Sequence, residues 1–520
     1  MPEFKNMFIR VHRFVVTMVA FASIVTTQAL ADSSGQSEFS EISELSELST
    51  LSDSSDKAIA AFLARPALAH ASVGISVVRL SDGAPLASHN AQLALTPAST
   101  MKALTTATAL RLFGADARFE TLVGYRGSVG ADGTLRGDLI VCGGGDATLA
   151  SRRDSRGADH FFCTVVDALK QAGIKRIEGR ILADDSALPT EGVLPGWTWE
   201  DLGNYFAAGL YALNYSDNTY ELTLDTSRKG VRPAVKSINP PMPELRIHNY
   251  LLDKNVRSDS AYLYGAPFSD DRYLYGALPH SAPAYTIKGD MPDPPYQLAA
   301  QLTRHLASQG IAVTADPTTV RRLLEANANA VSDATARTKA ESSIRKQADP
   351  DNELLRYPSA PFSAIARQTN LYSLNLFAEG LLRTLAPEPT QAVRRELAYW
   401  QSRGLDTDGL RVDDGSGLSP TNRLTPAFLT ALMVEMQADR AFRASLPAVG
   451  REGTVGSLLR STPLAGKLRL KSGTIRGVVC YVGYIEVGEP RALCIMVNNF
   501  SGSSSEMRRA IEKLLTDMLL

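Results

Sequence analysis

Apolar and polar positions alternate with two different periods along the chain, and each change of period marks a predicted element. Helical spacing around Ala58 precedes Ser72–Leu80, an apolar run typical of a strand. A Ser-Asp-Gly turn at 81–83 separates this run from a second strand, so the pair predicts a β-hairpin. Pro97 then precedes a helix that is predicted to start near Ser99. Proline is favourable there, because the first N–H groups of a helix have no partner within the helix and the missing N–H of proline therefore costs no hydrogen bond.

The middle of the chain alternates mostly with the period of β-strands. Strands are predicted over 119–129 and 133–145, followed by one amphipathic helix at His160–Ala172. Residues 220–290 alternate in the same way and contain many Pro, Gly and Tyr residues, which predicts a small β-rich region. Helical spacing returns over Tyr296–Gly310.

The C-terminal third mixes helices with one strong hairpin. Residues 318–350 are polar and Ala-rich, and we expect an inserted helical or mobile segment there. A helix is predicted over Leu371–Leu385, and a hairpin over Val478–Val487 and Arg491–Val497. The last helix, Glu506–Leu520, carries one apolar face that could cover a sheet or lie on a membrane, and we favour packing against a sheet.

The chain has four cysteines, Cys142, Cys163, Cys480 and Cys494. If Val487 faces Arg491 across the C-terminal hairpin, Cys480 and Cys494 lie four positions out of register, which is too far for a disulfide. We therefore expect these two to be free and buried. The pattern leaves open whether Cys142 pairs with Cys163.

The N-terminus has the features of a secretory signal. A basic stretch precedes the apolar run Phe14–Val25, which is too short to span a bilayer, and Ala29-Leu30-Ala31 is typical of a cleavage site. Residues 1–31 are therefore predicted to be a signal peptide, with an uncleaved membrane anchor as the alternative. The Ser- and Glu-rich residues 32–56 favour a disordered linker. Export to the periplasm follows from the signal.

Charge and histidine usage exclude two classes of function. Lys and Arg total 54 against 55 Asp and Glu, giving a formal net charge of −1, so nothing indicates a nucleic-acid partner. The seven histidines show no H-E-x-x-H or other paired spacing, so no metal or other cofactor is predicted. A chain of 520 residues is expected to form several domains.

Three short motifs carry the candidate chemistry. They are, in chain order, Ser99-Thr100-Met101-Lys102, Ser373-Leu374-Asn375 and Lys471-Ser472-Gly473. Each alone is weak and more consistent with a structural role. Together, in this order, each has a fitting context: a helix start, a turn before a helix, and the beginning of a strand.

A serine hydroxyl is a poor nucleophile until a base takes its proton. A lysine that is held in a dry site beside a second lysine has a lowered pKa and can act as that base while neutral. Lys102 is the predicted base and Lys471 the neighbouring cation. The backbone N–H groups of Ser99 and Thr474 are predicted to hold the developing oxyanion.

The motifs resemble those of the serine acyl-transferases that include β-lactamases and penicillin-binding proteins. In detail the chain resembles the class C low-molecular-mass penicillin-binding proteins, the D-alanyl-D-alanine carboxypeptidase/endopeptidases. The stretches that carry this resemblance are PASTMKALTT, LIVCGGGDATL, PGWTWEDLGNYF, SLNLFAEGLLRTL, DGSGLSPTNRLTP and LRLKSGTIRGVVCYVGYI.

The resemblance implies an α/β (α+β) fold: a serine β-lactamase/DD-transpeptidase-like domain, with an antiparallel sheet and flanking helices, interrupted by a large β-rich two-domain insertion. The first part of that domain would be 57–117, the insertion 118–295, and the second part 296–520, which includes the polar segment 318–350.

The resemblance also implies roles for single residues. Ser99 would be the nucleophile and Lys102 its base, while Ser373 and Asn375 would pass a proton to the leaving amine and orient the substrate amide. Lys471 completes the catalytic set.

Substrate binding falls on the third motif. Ser472 and Thr474, on either side of Gly473, would bind the terminal carboxylate of the substrate. The acid that contacts a diaminopimelate side chain in some members would fall near Asp184. Ser472 stands where threonine is usual and keeps the hydroxyl, whereas Pro420 stands where members often carry a basic residue.

The implied function is a periplasmic D-Ala-D-Ala carboxypeptidase and DD-endopeptidase that acts on peptidoglycan peptides and is acylated by β-lactam antibiotics. Peripheral contact with a membrane is compatible with it. The alternatives are a β-lactamase and an inactive cell-wall-binding protein. A serine at 373 and the large insertion argue against the first, and the intact motifs argue against the second.

Three other features favour structural roles. Gly143-Gly144-Gly145-Asp146 is predicted to form a tight turn, since no P-loop lysine follows it. Asp413-Asp414 is predicted to lie in a glycine-rich loop behind the active site. Trp197 and Trp199 are predicted to pack between domains.

Overall fold

The computed structural model describes residues 54–194, 196–254, 256–280 and 283–520. The predicted signal peptide and residues 32–53 of the predicted linker lie outside the described residues. The strands are β1 (Ser72–Arg79), β2 (Pro85–His89), β3 (Glu120–Val129), β4 (Thr134–Cys142), β5 (Arg176–Glu178), β6 (Ile181–Asp184), β7 (Thr219–Asp225), β8 (Ala234–Asn239), β9 (Arg246–Asn249), β10 (Tyr262–Tyr264), β11 (Asp271–Tyr275), β12 (Tyr285–Asp290), β13 (Ala312–Val313), β14 (Thr318–Thr319), β15 (Asn352–Pro358), β16 (Leu468–Ile475), β17 (Val478–Ile485) and β18 (Arg491–Asn498).

A helical segment over 56–63 precedes β1. The α-helices that follow are α1 (Met101–Phe113), α2 (His160–Gln171), α3 (Pro294–Ser308), α4 (Val320–Ala330), α5 (Ala334–Gln347), α6 (Phe362–Tyr372), α7 (Asn375–Arg383), α8 (Pro389–Ser402), α9 (Pro426–Glu435), α10 (Arg440–Ser445) and α11 (Ser504–Leu519). In the described part of the chain, no helix combines the length and the apolar character needed to cross a bilayer.

The sheet that positions the motifs is antiparallel, with the strand order β16-β17-β18-β1-β2. Alternate residues of β17 point to two different cores, Val478, Cys480 and Val482 to one and Val479 and Tyr481 to the other. Helices cover both faces, which explains why this strand is apolar at nearly every position. The mixed α/β fold with a flanked antiparallel sheet is as predicted.

The last helix covers one face of this sheet. Met507, Ile511, Leu514 and Met518 of α11 are buried in the same core as residues of β1, β17 and β18. The apolar face predicted for this helix therefore packs against the sheet, and the membrane alternative is wrong for it.

The C-terminal hairpin has a different register from the predicted one. Ile485 faces Arg491, so Cys480 lies opposite Met496, and Cys494 lies opposite Val482. The strand ends at Ile485 rather than at Val487, which leaves a longer connection and shifts the pairing by two residues. Cys480 and Cys494 are nevertheless free and buried as predicted, and Cys142 and Cys163 are free as well.

The helix predicted over Leu371–Leu385 is in fact two helices. Helix α6 ends at Tyr372 and α7 begins at Asn375, because Ser373 has a left-handed backbone with φ of 59°. A left-handed residue breaks the i to i−4 ladder. Because of this interruption, the Ser373 side chain points towards the candidate active site that is described below. The polar segment 318–350 forms the two helices α4 and α5.

The β-rich part of the chain has a core of its own. Residues of β3 to β7 pack with α2 and α3 in this core, and β15 (Asn352–Pro358) joins the sheet that contains β3 and β4 by pairing with β3. Residues 56–520 together form one unit. The domain boundaries at 117/118 and 295/296 stay a prediction.

Candidate active site

The first motif lies where a tight turn meets a fully buried helix. Ala98 has a positive φ of 46°, Ser99 follows in the single helical turn Ala98–Thr100, and α1 begins at Met101. Every residue from Met101 to Leu110 is buried, so this part of α1 is central and exposes no face to solvent. Lys102 lies one turn beyond Ser99 and faces it from inside the protein.

The chain before Ser99 is fixed to the last strand of the sheet. The backbone N–H of Thr96 donates to Asn498 Oδ1 at 2.8 Å, across 402 sequence positions. Asn498 Nδ2 donates in return to the carbonyl of Thr96 at 3.2 Å. Gly473 of β16 lies so close to the Ser99 turn that a Cβ there would come within 2.6 Å of the Pro97 carbonyl oxygen.

Lys102 is completely buried and surrounded by oxygen atoms. Its Nζ lies 2.9 Å from Ser99 Oγ, 2.7 Å from Asn375 Oδ1 and 2.5 Å from the Ser416 carbonyl oxygen. The amide and carbonyl oxygens can only accept hydrogen bonds. A neutral amine that donates its two N–H bonds to them therefore directs its lone pair at the Ser99 hydroxyl, as a general base requires.

Burial lowers the pKa of Lys102 to about 7, although the carboxylates of Asp414 and Glu379 oppose this shift. About half of the Lys102 side chains are therefore neutral at pH 7. Burial, rather than the second lysine, is the main cause. Burial also lowers the pKa of Lys471 well below its usual value, and the charge of Lys102 adds to that effect.

The second and third motifs meet in front of Ser99. Lys471 Nζ donates to Ser373 Oγ at 3.1 Å and to the Ser472 carbonyl at 2.6 Å. Asn375 Nδ2 donates to the Phe206 carbonyl at 2.7 Å, which fixes the amide so that its oxygen faces Lys102. The structure therefore brings together the five predicted catalytic side chains, although the chain separates them widely.

The third motif lies on β16, the edge strand of the sheet, and presents hydroxyl groups along it. Ser472 Oγ and Thr454 Oγ1 are 2.7 Å apart, and Arg508 of α11 donates to Thr474 Oγ1 at 3.2 Å. Hydroxyls beside a guanidinium form a suitable site for a carboxylate. Arg508 was not predicted from the sequence.

A cavity of about 810 Å³ opens over Ser99. Its lining includes the predicted residues Ser373, Asn375 and Thr474 and also Pro420. The sequence analysis does not predict the other residues that line it: Thr198, Glu200, Asp201, Tyr205, Phe206, Tyr262, Tyr264, Gly417, Leu418, Ile475 and Arg476. Glu200 and Asp201 belong to PGWTWEDLGNYF, one of the stretches that carried the resemblance, so the signal was present in the sequence.

Asp184 is not among the residues that line this cavity. It ends β6 beside Cys142 of β4, and its Oδ1 accepts the backbone N–H of Ser186 at 3.0 Å. The structure therefore does not bring this predicted substrate-binding residue to the other members of the site.

Asp414 supports the site from behind, as predicted. Its carboxylate accepts hydrogen bonds from the N–H groups of Gly417 and Ser419, both at 2.7 Å, and from Trp197 Nε1 at 2.9 Å. Trp197 is thus buried in packing as expected. The same expectation is wrong for Trp199, which is 61% exposed.

The glycine run after β4 makes close backbone contacts, as a tight turn does. A Cβ on Gly143 would lie 2.3 Å from the Ala212 carbonyl oxygen, and one on Gly144 would lie 2.1 Å from the Glu120 carbonyl oxygen. Asp146 accepts hydrogen bonds from the backbone and hydroxyl of Thr148. These contacts support a structural role.

Comparison with known proteins identifies relatives over nearly the whole described chain. The model of the D-Ala-D-Ala carboxypeptidase 3 (S13) family matches residues 55–336 and 324–518. The D-alanyl-D-alanine carboxypeptidase of Actinomadura sp. (strain R39) is 27% identical over 465 residues, 85% of this chain and 80% of that protein.

Solved structures give the same fold. The crystal structure of penicillin binding protein 4 (dacB) from Haemophilus influenzae matches with a TM-score of 0.70 at 21% identity, covering 90% of this chain and 97% of that one. The same protein complexed with a novel β-lactam matches with a TM-score of 0.64 at 20% identity, covering 90% and 98%.

Proposed function

Since the chain belongs to the D-Ala-D-Ala carboxypeptidase 3 (S13) family, we propose that Ser99 is the residue through which it hydrolyses D-alanyl-D-alanine ends. The chain is accordingly a serine peptidase, a hydrolase of peptidoglycan peptides. The observation that carries the assignment to Ser99 is the 2.9 Å contact between its hydroxyl and the buried Lys102 amine, whose pKa is lowered to about 7.

Acylation follows from the contacts of these side chains. Neutral Lys102 accepts the Ser99 proton as Oγ attacks the carbonyl carbon of the penultimate D-alanine. The C–N bond to the terminal residue then breaks, and Ser373, held by Lys471, donates a proton to the leaving amine. Transfer of a proton from Lys102 to Ser373 restores both groups. Water finally hydrolyses the acyl-enzyme, with Lys102 again as the base.

Substrate recognition divides between two parts of the cavity. Ser472 and Thr474, with Arg508 behind them, are suited to the terminal carboxylate. Glu200 and Asp201 add acidic groups to the wall of the cavity, and Arg476 adds a basic one.

A side chain with both an ammonium and a carboxylate, such as that of diaminopimelate, matches this pattern of charges. We therefore propose Asp201 rather than Asp184 as the acid that contacts the ammonium group. Pro420 lines the same cavity and contributes no charge.

The same acyl-enzyme chemistry extends to cross-linked peptides and to β-lactams. A cross-link between two stem peptides is an amide of D-alanine, so DD-endopeptidase action needs no additional catalytic group. β-Lactams would acylate Ser99 covalently, in line with the β-lactam complex of the Haemophilus influenzae relative. A periplasmic location follows from such substrates together with the predicted signal peptide.

Two measurements test this proposal. The purified protein is incubated with a labelled penicillin and with a peptide that ends in D-Ala-D-Ala, and the label and the released D-alanine are quantified. We expect wild-type protein to be labelled and to release D-alanine, and Ser99→Ala to do neither. Equal labelling of Ser99→Ala and wild type would exclude Ser99, and rapid turnover of a cephalosporin without D-alanine release would favour a β-lactamase.

A further inference from the structure

A second cavity, of about 540 Å³, lies beside the first and shares part of its wall. Ser373, Asn375, Tyr205 and Phe206 line both cavities. The second one is also lined by Tyr372, Thr454 and three charged residues, Arg153, Asp217 and Lys288. The mechanism above uses none of its charged groups.

The second cavity begins at the position of the leaving group. Thr454 lines this cavity, and its hydroxyl oxygen lies 2.7 Å from Ser472 Oγ. Ser472 is in turn a proposed ligand of the carboxylate of the leaving residue. Ser373, the proposed proton donor to the leaving amine, lines it too. Glu200 and Asp201 line only the first cavity. A leaving group larger than one residue would therefore extend into the second cavity.

Arg153 supplies this cavity with an available cation. Its guanidinium stacks on the Tyr372 ring at 4.2 Å, and among the described residues no carboxylate lies within 4 Å of it, although its charge acts on the Asp217 carboxyl. The neighbouring Arg152, in contrast, is paired with Glu221. Stacking fixes a guanidinium while its N–H edges stay free to donate to a carboxylate.

Two more charged groups face the second cavity. Lys288 Nζ lies 3.7 Å from Glu221, so its charge is shared. Asp217 accepts a hydrogen bond from the Ser151 hydroxyl at 2.5 Å, and burial raises the pKa of its carboxyl while the charges of Arg153 and Lys288 oppose this shift. The cavity thus carries two basic side chains and one acidic side chain, whereas Glu200 and Asp201 add only acidic groups to the first cavity.

We propose that Arg153, with Lys288 beside it, binds a carboxylate of the leaving stem peptide when the enzyme cleaves a cross-link. This inference rests on the proposed function. Ser99 attacks the D-alanine carbonyl, the C–N bond to the second stem peptide breaks, and the freed amine takes its proton from Ser373.

A stem peptide carries carboxylates beyond the one next to that amine. Free D-alanine has a single carboxylate, which the third motif already binds. Arg153 is therefore a specificity residue for endopeptidase action and takes no part in the removal of terminal D-alanine.

The test variant is Arg153→Gln, and its matched control is Arg152→Gln. Both variants remove one positive charge from adjacent positions, but only Arg153 lines the second cavity. The values of kcat/KM are measured on a cross-linked peptide dimer and on a peptide ending in D-Ala-D-Ala. We expect Arg153→Gln to lower kcat/KM for the dimer about tenfold, or ~1.4 kcal/mol, and to leave the second substrate within twofold. Arg153→Lys should recover part of the loss.

A dimer that is amidated at the leaving-side carboxylates, except the one next to the scissile amine, provides a second measurement. Wild type should cleave it as slowly as Arg153→Gln cleaves the unmodified dimer. The inference would be overturned if Arg153→Gln lowered kcat/KM equally for both substrates or did not lower it for the dimer. It would also be overturned if Arg152→Gln lowered kcat/KM for the dimer as much as Arg153→Gln does. Wild-type protein that releases D-alanine but leaves the dimer intact overturns this inference alone. Wild-type protein that does neither overturns the proposed function.

Discussion

Replacement of Asn375 by aspartate tests the role of Lys102 most directly. Asn375 Oδ1 lies 2.7 Å from Lys102 Nζ, and aspartate has the same shape with a negative charge at that oxygen. An opposite charge at this distance favours the charged amine and raises its pKa by about 1–3 units. Asn375→Asp should therefore convert Lys102 from a half-neutral base into a mostly protonated one at pH 7.

The size of the effect follows from the pKa of Lys102, which is about 7 in the wild type. If the pKa rises by about two units, the neutral fraction at pH 7 falls from about a half to about 1%. Acylation should then be about fiftyfold slower at pH 7 and should recover as the pH rises towards about 9. The pH midpoint of the rate thus moves upward.

The assay is the second-order rate of acylation by a fluorescent penicillin between pH 5 and pH 10. Asn375→Ala is the control, because it removes the contacts with Lys102 and with the Phe206 carbonyl without adding a charge. It should slow acylation at every pH without raising the midpoint. If the pH midpoint of Asn375→Asp does not rise above that of the wild type, Lys102 is not the base.

Three further substitutions have defined outcomes. Glu396 is buried, accepts a hydrogen bond from Thr108 and has a pKa raised from 4.5 to about 8, so its burial destabilises the folded state increasingly as the pH rises from about 4.5 to about 8, where only the unfolded chain ionises this carboxyl. The free energy of unfolding, measured with urea, should therefore increase for Glu396→Gln relative to wild type by ~1.4 kcal/mol with each pH unit between about 5 and about 8. Plots of this free energy against pH that run parallel for the two proteins would contradict the prediction. Gly473→Ala should remain folded but lose about 100-fold or more in penicillin acylation, because its Cβ would displace the Ser99 turn; a wild-type rate would contradict the close approach. Arg508→Gln should raise KM about tenfold for a peptide ending in a free carboxylate but not for its amide, and an equal change for both would exclude the proposed carboxylate site.

The sequence alone predicts the motifs and most elements well, because those features depend on short-range patterns. The hairpin of β17 and β18 was predicted from its apolar runs, but its register depends on where β17 ends, and the pairing differs by two residues from the expected one. The separation of α6 and α7 at Ser373 depends on one left-handed residue that is not a glycine. Local composition does not mark such a residue.

The sequence predicts the side chains of the three motifs, but not the backbone groups and the more distant side chains that complete the site. Ser99, Lys102 and Lys471 are recognisable as residue types. The carbonyl of Ser416, which orients the Lys102 amine, belongs to no motif, because any residue can provide a carbonyl. Glu200 and Asp201 line the cavity and Asp184 does not, and the sequence does not reveal which acidic loop reaches the cavity.

The hydrogen bonds between Thr96 and Asn498 also determine when the enzyme becomes chemically active during its synthesis. The nucleophile turn is held by a residue that is translated 402 positions later. Until β16 and β18 arrive, Lys102 has no sheet to bury it, so it remains an ordinary charged lysine beside an unreactive serine. A nascent or C-terminally truncated chain therefore contains the residues of a peptidase without its reactivity, and hydrolysis begins only after the last strands have folded.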